Sequence, residues 1–293
     1  MKSVDMLMAV AVAIIWGLGL VVAKAAMGHF PPILLMALRF TLTAACLMWF
    51  FRPPWPLLKD IFWVGLFSAT IQYSLTFTGL AGIDVSTAAI LVQLEVPFGI
   101  LLAWLVLRDR ITPRQLAGMV LAFAGVVCIV GEPRLSGNLI HVALVIGGAF
   151  TWAVGQIMIK RLGEVGGFVL ITWVAVMATP QLFIASWLLE SDHLAAIRSA
   201  SLEIWAAVGY LGVVMTALGY ALWYRLLGLY PVSRVMPFLL LLPLISVAGG
   251  IIFLGESLTV KVIIGGLCIL AGITLINLRL AQVPAADKPP GSP

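Results

Sequence analysis

The sequence predicts an all-α integral membrane protein: ten transmembrane helices arranged as two inverted five-helix repeats, with both termini on the same side (N-in/C-in). Three observations predict it. First, 62% of the 293 residues are hydrophobic and 10% are charged, at a mean hydropathy of +1.15. A soluble domain of this length has too little interior to hide so much apolar surface. Second, apolar runs of about 20 residues, the length that crosses a bilayer as a helix, follow one another with short polar breaks. Period-2 alternation with regular turns is absent, which argues against a β-barrel. Third, the chain matches itself. Trp16-Gly17-Leu18-Gly19 followed by Lys24 recurs as Trp152-Ala153-Val154-Gly155 followed by Lys160. Ile111-Thr112 with Gly118 and Ala124-Gly125 recurs as Leu258-Thr259 with Gly265 and Ala271-Gly272. Each copy holds five apolar runs, and five is odd, so the second copy starts on the opposite side of the bilayer from the first.

The first repeat, residues 1–131, supplies spans at Asp5–Met27, Pro32–Phe51, Asp60–Leu80, Asp84–Leu107 and Pro113–Val130. The second, residues 132–281, supplies Asn138–Arg161, Gly167–Leu189, Glu203–Leu227, Val232–Leu254 and Leu258–Leu280. Pro31-Pro32, Pro53-Pro54-Trp55-Pro56, Pro113, Gly166-Gly167 and Pro231 punctuate the chain where helices stop or start. The first run is too long for a signal-peptide core and lacks a small-residue cleavage site, so it reads as an uncleaved helix. The connection from Glu190 to Ser201 reads as a polar loop insertion. Residues 282–293, with Pro284, Pro289, Pro290 and Pro293, read as a disordered tail.

Lysine and arginine orient the chain. With a cytoplasmic N-terminus, twelve of the 17 basic residues fall on the inner side, among them Lys2, Arg52, Arg108, Arg161 and Arg279. Only Lys24, Arg134, Arg198 and Lys261 fall outside, and Arg39 lies within a span. The basic residues sit at helix ends and form no single patch, which excludes a nucleic-acid partner. Cys46, Cys128 and Cys268 lie in apolar runs without metal-ligand spacing, and neither a metal nor another cofactor is expected. Phosphate-binding loops and His-Glu-x-x-His pairs are absent from the sequence, and the three histidines lie near span ends, so no enzyme is expected.

Three groups of residues are candidates for carrying a solute. Glu95 falls halfway along the fourth span, near the midplane, where a carboxylate costs on the order of 3 kcal/mol to insert. It suits a substrate ammonium or a coupling proton; alternatively it bonds a neighbouring helix or pairs with Arg39. The second group is aromatic and polar. Tyr73 matches Tyr220, Thr76 matches Trp223 and Phe77 matches Tyr224 at one constant offset, and spacings of three and four put them on one helix face. Trp16 and Trp152 are matched too, with Gly19, Gly155 and Gln156 one turn away or nearer. With Gln93, these residues compose a mostly apolar cavity with few polar groups; the alternative is interhelical packing. The third group is prolines within the fourth and ninth spans: Pro97 in one, Pro237 and Pro243 in the other. Each frees a carbonyl and kinks its helix, and so supplies a hinge or a static bend. Gly118, Ala122, Gly125, Gly265 and Gly272 read as close-packing positions. Lys24 and Lys160 act as gate closures or simply snorkel.

At these residues the chain resembles the drug/metabolite transporter superfamily, specifically its EamA-type proteins. The resemblance spans about residues 5–280 and rests on Trp16-Gly17-Leu18 with Lys24, Pro31-Pro32 leading to Leu38-Arg39-Phe40, and Trp152 through Lys160. Further along it rests on Gly219-Tyr220, Arg234-Val235-Met236-Pro237, Pro243 and Gly255-Glu256-Ser257-Leu258-Thr259. The chain departs from the repeat at Arg108-Asp109-Arg110, which stands where the second half has Gly255-Glu256-Ser257. Within the superfamily it resembles bacterial amino-acid exporters, of the cysteine/O-acetylserine type and, less closely, the YddG aromatic amino-acid type. The resemblance implies a multi-pass protein of the bacterial inner membrane. It would export neutral or aromatic amino acids and related metabolites by alternating access. Its partners would be the small-molecule substrate and the lipid bilayer, with homo-oligomerisation left open. The competing substrate is a drug-like organic cation or another small metabolite, for which Glu95 and an aromatic box are also suited.

Overall fold

The computed structural model describes residues 2–108, 111–132, 135, 137–163, 165–230, 238–239 and 241–277. Among them every regular element is helical. α1 (Ser3–Ala26) is continuous and apolar, and α2 (Pro32–Leu47) starts with proline in its first turn, where a missing N–H costs nothing. α3 (Leu58–Gly65) and α4 (Gln72–Gly82) are joined through a π-helical segment, Leu66–Ile71, into one rod. α5 (Val85–Val92) and α6 (Glu95–Leu107) follow, then α7 (Pro113–Val130). A reciprocal Thr112–Gln115 capping box and Pro113 fix the start of α7. The second half opens with α8 (Leu139–Leu162) and α9 (Gly167–Leu189), followed by the short α10 (His193–Ser199). α11 (Leu202–Gly209) and α12 (Gly219–Leu229) flank a second π segment, Tyr210–Leu218; α13 (Leu241–Leu254) and α14 (Val260–Asn277) complete the order.

Six stretches are long and apolar enough to cross a bilayer: Ser3–Ala26, Val85–Leu107, Pro113–Val130, Leu139–Leu162, Gly167–Leu189 and Leu202–Trp223. Pro32–Leu47, Leu241–Leu254 and Val260–Ile276 are shorter apolar helices. Polarity is arranged for lipid. Large apolar side chains face outward, with Trp49 79% and Phe50 76% exposed, while Arg39, Thr43, Thr70, Gln72, Thr76, Thr216 and Ser246 are buried. Some buried hydroxyls bond carbonyls of their own helix, as Thr172 does Phe168, or of a neighbour, as Ser246 does Gly17.

The packing has an internal two-fold pattern. α7 packs on α14 and α2 on α9, each pairing a helix with its counterpart in the other half, and α5 packs on α13, joining the fourth and ninth spans. Off these pairs, contacts come in matched sets. α1 packs on α13 while α6 packs on α8; α2 packs on the second π segment while α9 packs on the first. Glycines mark the closest approaches. A Cβ on Gly118 would lie 2.6 Å from the Gly272 carbonyl oxygen, and one on Gly125 would lie 2.5 Å from that of Gly265. Because the earlier glycine of α7 faces the later glycine of α14, and the reverse, the two helices run antiparallel. Gly19 likewise abuts Met215, and its match Gly155 abuts Ser68, the residue matched to Met215.

Three features depart from the sequence expectation. The fourth span is broken at Gln93-Leu94. The polar connection after Glu190 contains α10, whose Leu194 and Ile197, three residues apart, help line a groove with Leu34, Phe183 and Trp187. The third and eighth spans each carry a π segment, preceded in each case by a glycine, Gly65 or Gly209. Most of the ninth span's expected first turns, including Pro237, lie outside the described residues, as does the tail.

Arg108 and Gly255, matched positions, both adopt left-handed backbone, at φ 58° and 68°. A side chain there is strained. Arg108→Gly is therefore expected to stabilise the protein by about 1 kcal/mol, read as a raised melting temperature in detergent. Gly125→Val, which drives a side chain into the Gly265 carbonyl, is expected to destabilise it by about 1–3 kcal/mol or more in the same measurement.

Candidate functional site

The break in the fourth span has a local cause. Pro97 is buried in the third position of α6 and has no N–H to return to the Gln93 carbonyl. That carbonyl instead accepts from Val96 N–H at 3.2 Å, while Gln93 and Leu94 N–H groups donate three residues back, to Ile90 and Leu91. The chain thus tightens into two turns and restarts as a helix at Glu95. Pro243 likewise occupies the third position of its described helix, α13. Pro97 opens a helix here and does not bend the middle of one; residue 240, next before α13, lies outside the described residues.

Glu95 stands at this restart, half-buried. It makes no hydrogen bond or ion pair among the described residues. The expected pairing with Arg39 is not formed. Arg39, 1% exposed, donates from Nε to Thr216 Oγ1 at 3.1 Å and from Nη2 to Tyr73 OH at 3.4 Å, with Nη1 3.8 Å from the Met36 sulfur. Its guanidinium carbon lies 4.8 Å from the Tyr73 ring centroid and 5.5 Å from that of Phe40. The guanidinium is turned toward the second half's π segment, not toward α6. Neutral acceptors and ring faces hold it in place of a carboxylate.

The aromatic residues separate into two clusters. In one, Tyr73 stacks on Phe77 with centroids 5.5 Å apart and meets the edge of Phe40 at 5.1 Å; Phe77 is buried. In the other, Trp16 lies 5.1 Å from Tyr220 and 5.7 Å from Trp223, and Trp223 is buried against Ala9, Val12 and Leu226. The side chain of Tyr224 lies outside the described residues. Trp16 Nε1 donates to the Met215 carbonyl at 3.0 Å and Arg39 reaches Thr216, so the clusters adjoin through neighbouring residues of one π segment. Trp152, Gln156 and Gln93 are half-buried on α8 and at the helix break, without side-chain hydrogen bonds among the described residues. α8 packs against α4, α5 and α6, so Trp152 and Gln156 belong to the helix that faces the break.

The π segments explain why these side chains gather. An i→i+5 turn leaves carbonyls misaligned with their usual donors. Around Tyr210–Leu218, Leu211 is served by the Thr216 hydroxyl, Gly212 by Thr43 and Met215 by Trp16. Around Leu66–Ile71, Ser68 bonds Val64, Thr70 donates to Gln181, and Gln181 donates to Phe62.

Sequence reasoning singled out Lys24 as a gate closure or a snorkelling lysine, but not the polar ring around it at the α4–α5 end of the molecule. Lys24 Nζ donates to the carbonyls of Leu80, Ala81 and Ile83 at 2.7–3.1 Å, closing the C-terminal end of α4. Glu256 accepts from the N–H groups of Val85 and Ser86, and Glu190 from those of Ile33 and Leu34. Thr259 donates to Glu132, and Lys261 to the Gly131 carbonyl. The sequence signal was a carboxylate at the end of an apolar run; its partner lies far away in the chain.

The EamA-like transporter family model matches residues 4–131 and 139–278. The chain is 32% identical to a probable amino-acid metabolite efflux pump of Salmonella typhimurium, over 93% of this chain and 94% of that protein. It is 30% identical to a protein of the same description from Escherichia coli, over 95% and 97%. One crystal structure, 20% identical, superposes with a TM-score of 0.62 over 94% of this chain and 96% of that one, and so shares the fold. Matched twice by one family model and aligned nearly end to end with such relatives, this multi-pass membrane protein belongs to the EamA-like transporter family of the drug/metabolite transporter superfamily.

Proposed function

We propose that the chain exports neutral and aromatic amino acids and related metabolites across a bacterial inner membrane, by alternating access between two inverted repeats. The repeats, residues 1–131 and 132–281, each contribute five spans, and both termini are cytoplasmic. The antiparallel contact of α7 with α14 and the matched packing of the halves support this arrangement. The likeness to probable amino-acid metabolite efflux pumps of Salmonella typhimurium and Escherichia coli supports the substrate class.

The observation that carries the reading is Glu95: a carboxylate at a helix break inside a membrane span, with no partner among the described residues. A carboxylate in such a place is retained only if something else answers it. A substrate ammonium fits. The apolar part of the substrate then lies among Trp16, Tyr73, Phe77, Trp152, Tyr220, Trp223 and Tyr224, with Gln93 and Gln156 as polar contacts. Pro97 and Pro243, at the starts of α6 and α13, serve as the hinges, with Pro237 beside the second.

Purified protein in liposomes is expected to take up labelled neutral and aromatic amino acids, and Glu95→Gln is expected to lower the initial rate at least about tenfold, the loss of one charge-assisted contact. Uptake of a lipophilic cation alone overturns the amino-acid assignment, and an unchanged rate in Glu95→Gln removes that residue from the site. The repeat orientation is checked separately. Single cysteines introduced near residues 110 and 256 are expected to react with impermeant maleimide from opposite sides of the membrane; labelling from one side removes the inverted arrangement.

A further inference from the structure

α2 and α5 both begin without a cap of their own. The residue before α2 is Pro31, and Asp84, before α5, makes no side-chain cap bond. Both helices take their caps from the other half. Glu190, at the end of α9, accepts from Ile33 N–H at 2.7 Å and Leu34 N–H at 2.9 Å, and the Ser186 hydroxyl steadies it at 2.7 Å. Glu256, just past α13, accepts from Val85 N–H at 2.5 Å, Ser86 N–H at 2.9 Å and the Ser86 hydroxyl at 2.6 Å. Both caps lie at one end of the molecule. There α1 turns into α2, and Lys24 of α1 reaches the α4 carbonyls that immediately precede α5.

We infer that Glu256, seconded by Glu190, is a releasable latch that shuts this end of the transporter. A local cap keeps its bonds however the halves move. These caps exist only while α13 stays on α5 and α9 stays on α2, so their bonds are made in the closed state and broken in the open one. They are also strong for their number, because an ionised acceptor sits where N–H groups and the helix dipole converge. The end they hold is sealed: Ile33, Leu34, Val85, Ser86, Thr87 and Leu135 are all buried. Gly255, in left-handed backbone, turns the chain back so that Glu256 N–H bonds the Gly250 carbonyl, and a Cβ on Gly250 would meet the Glu256 carboxylate. The carboxylate is thereby held against α5 and not left on a free loop. The inference rests on the two-repeat transport reading above, but its test needs no substrate.

Thr87, buried beside Glu256, reports on the seal. Thr87→Cys, in protein whose three native cysteines are replaced by alanine, is titrated with a bulky polar maleimide in detergent, where both ends are accessible. A second reporter, Ala9→Cys, sits buried toward the opposite end. Glu256→Ala is expected to speed labelling at position 87 by about five-fold or more, the population shift that losing such a cap corresponds to. Glu256→Gln, which keeps one acceptor oxygen and the shape of the side chain, is expected to fall between, and labelling at position 9 is expected not to rise. Equal rates at position 87 in all three proteins overturn the latch. So does acceleration at both positions, which marks general loosening by a static brace. If amino-acid uptake fails while the position 87 result stands, the substrate assignment falls and the latch remains.

Discussion

Hydrocarbon offers a backbone no hydrogen-bond partner, and each polar group left unsatisfied there costs several kcal/mol. Several irregularities among the described residues answer that constraint. Where a π segment displaces carbonyls, Trp16, Thr43 and Thr216 serve them. Where α4 ends, Lys24 closes its carbonyls, and where α2 and α5 begin, Glu190 and Glu256 receive their N–H groups. These servicing side chains come largely from the opposite half. The backbone's own demand for partners is therefore what joins the repeats, and any motion of one half against the other must exchange one set of partners for another.

Much of this architecture was legible in the sequence because it is written in short-range signals. Span positions follow from apolar run length, and Pro32 and Pro113 mark helix starts that the structure reproduces. Gly118, Gly125, Gly265 and Gly272 were readable as close-packing positions and are the closest points of α7 and α14. The break in the fourth span was not readable. Pro97 and Pro180 look alike within apolar runs, yet α9 continues through Pro180 while the chain restarts at Glu95. The difference lies in which donor reaches the freed carbonyl, and local composition does not encode it. The π segments were hidden for a similar reason: one extra residue per turn changes no hydrophobic pattern, and the donors that make it tolerable come from α1, α2 and α9.

The candidate site was legible as residue types more than as geometry. Glu95 was conspicuous because a carboxylate at that depth is costly, whatever its surroundings. The pairing with Arg39 was not formed, because depth along two helices says nothing about azimuth. Arg39 turns to Thr216 of the second half, with Tyr73 and Phe40 of its own half around it. Glu190 and Glu256 were still harder to assign, since each sits at a span end where a solvated carboxylate is ordinary, and each bonds a helix more than 150 residues away in the chain.

The two halves share a backbone plan but not a polar lining, and this bears on how freely the protein can rock. The contact between α2 and the second π segment is mirrored by that between α9 and the first. At the offsets of the sequence matches, Arg39 corresponds to Ala175 and Thr216 to Ala69, both alanines buried. A charged contact in one interface is thus a pair of methyl groups in the other, where Thr70 and Gln181 carry the polar work instead. A guanidinium removed from Thr216 and Tyr73 needs new acceptors, whereas two alanines sliding apart lose only packing. Opening one interface is therefore not the energetic mirror of opening the other. An inverted repeat guarantees that two end states are geometrically available; it does not make them equal in energy. On the alternating-access reading proposed above, the balance between them is set by the few positions where duplication has been overwritten with polar groups, Arg39 among them.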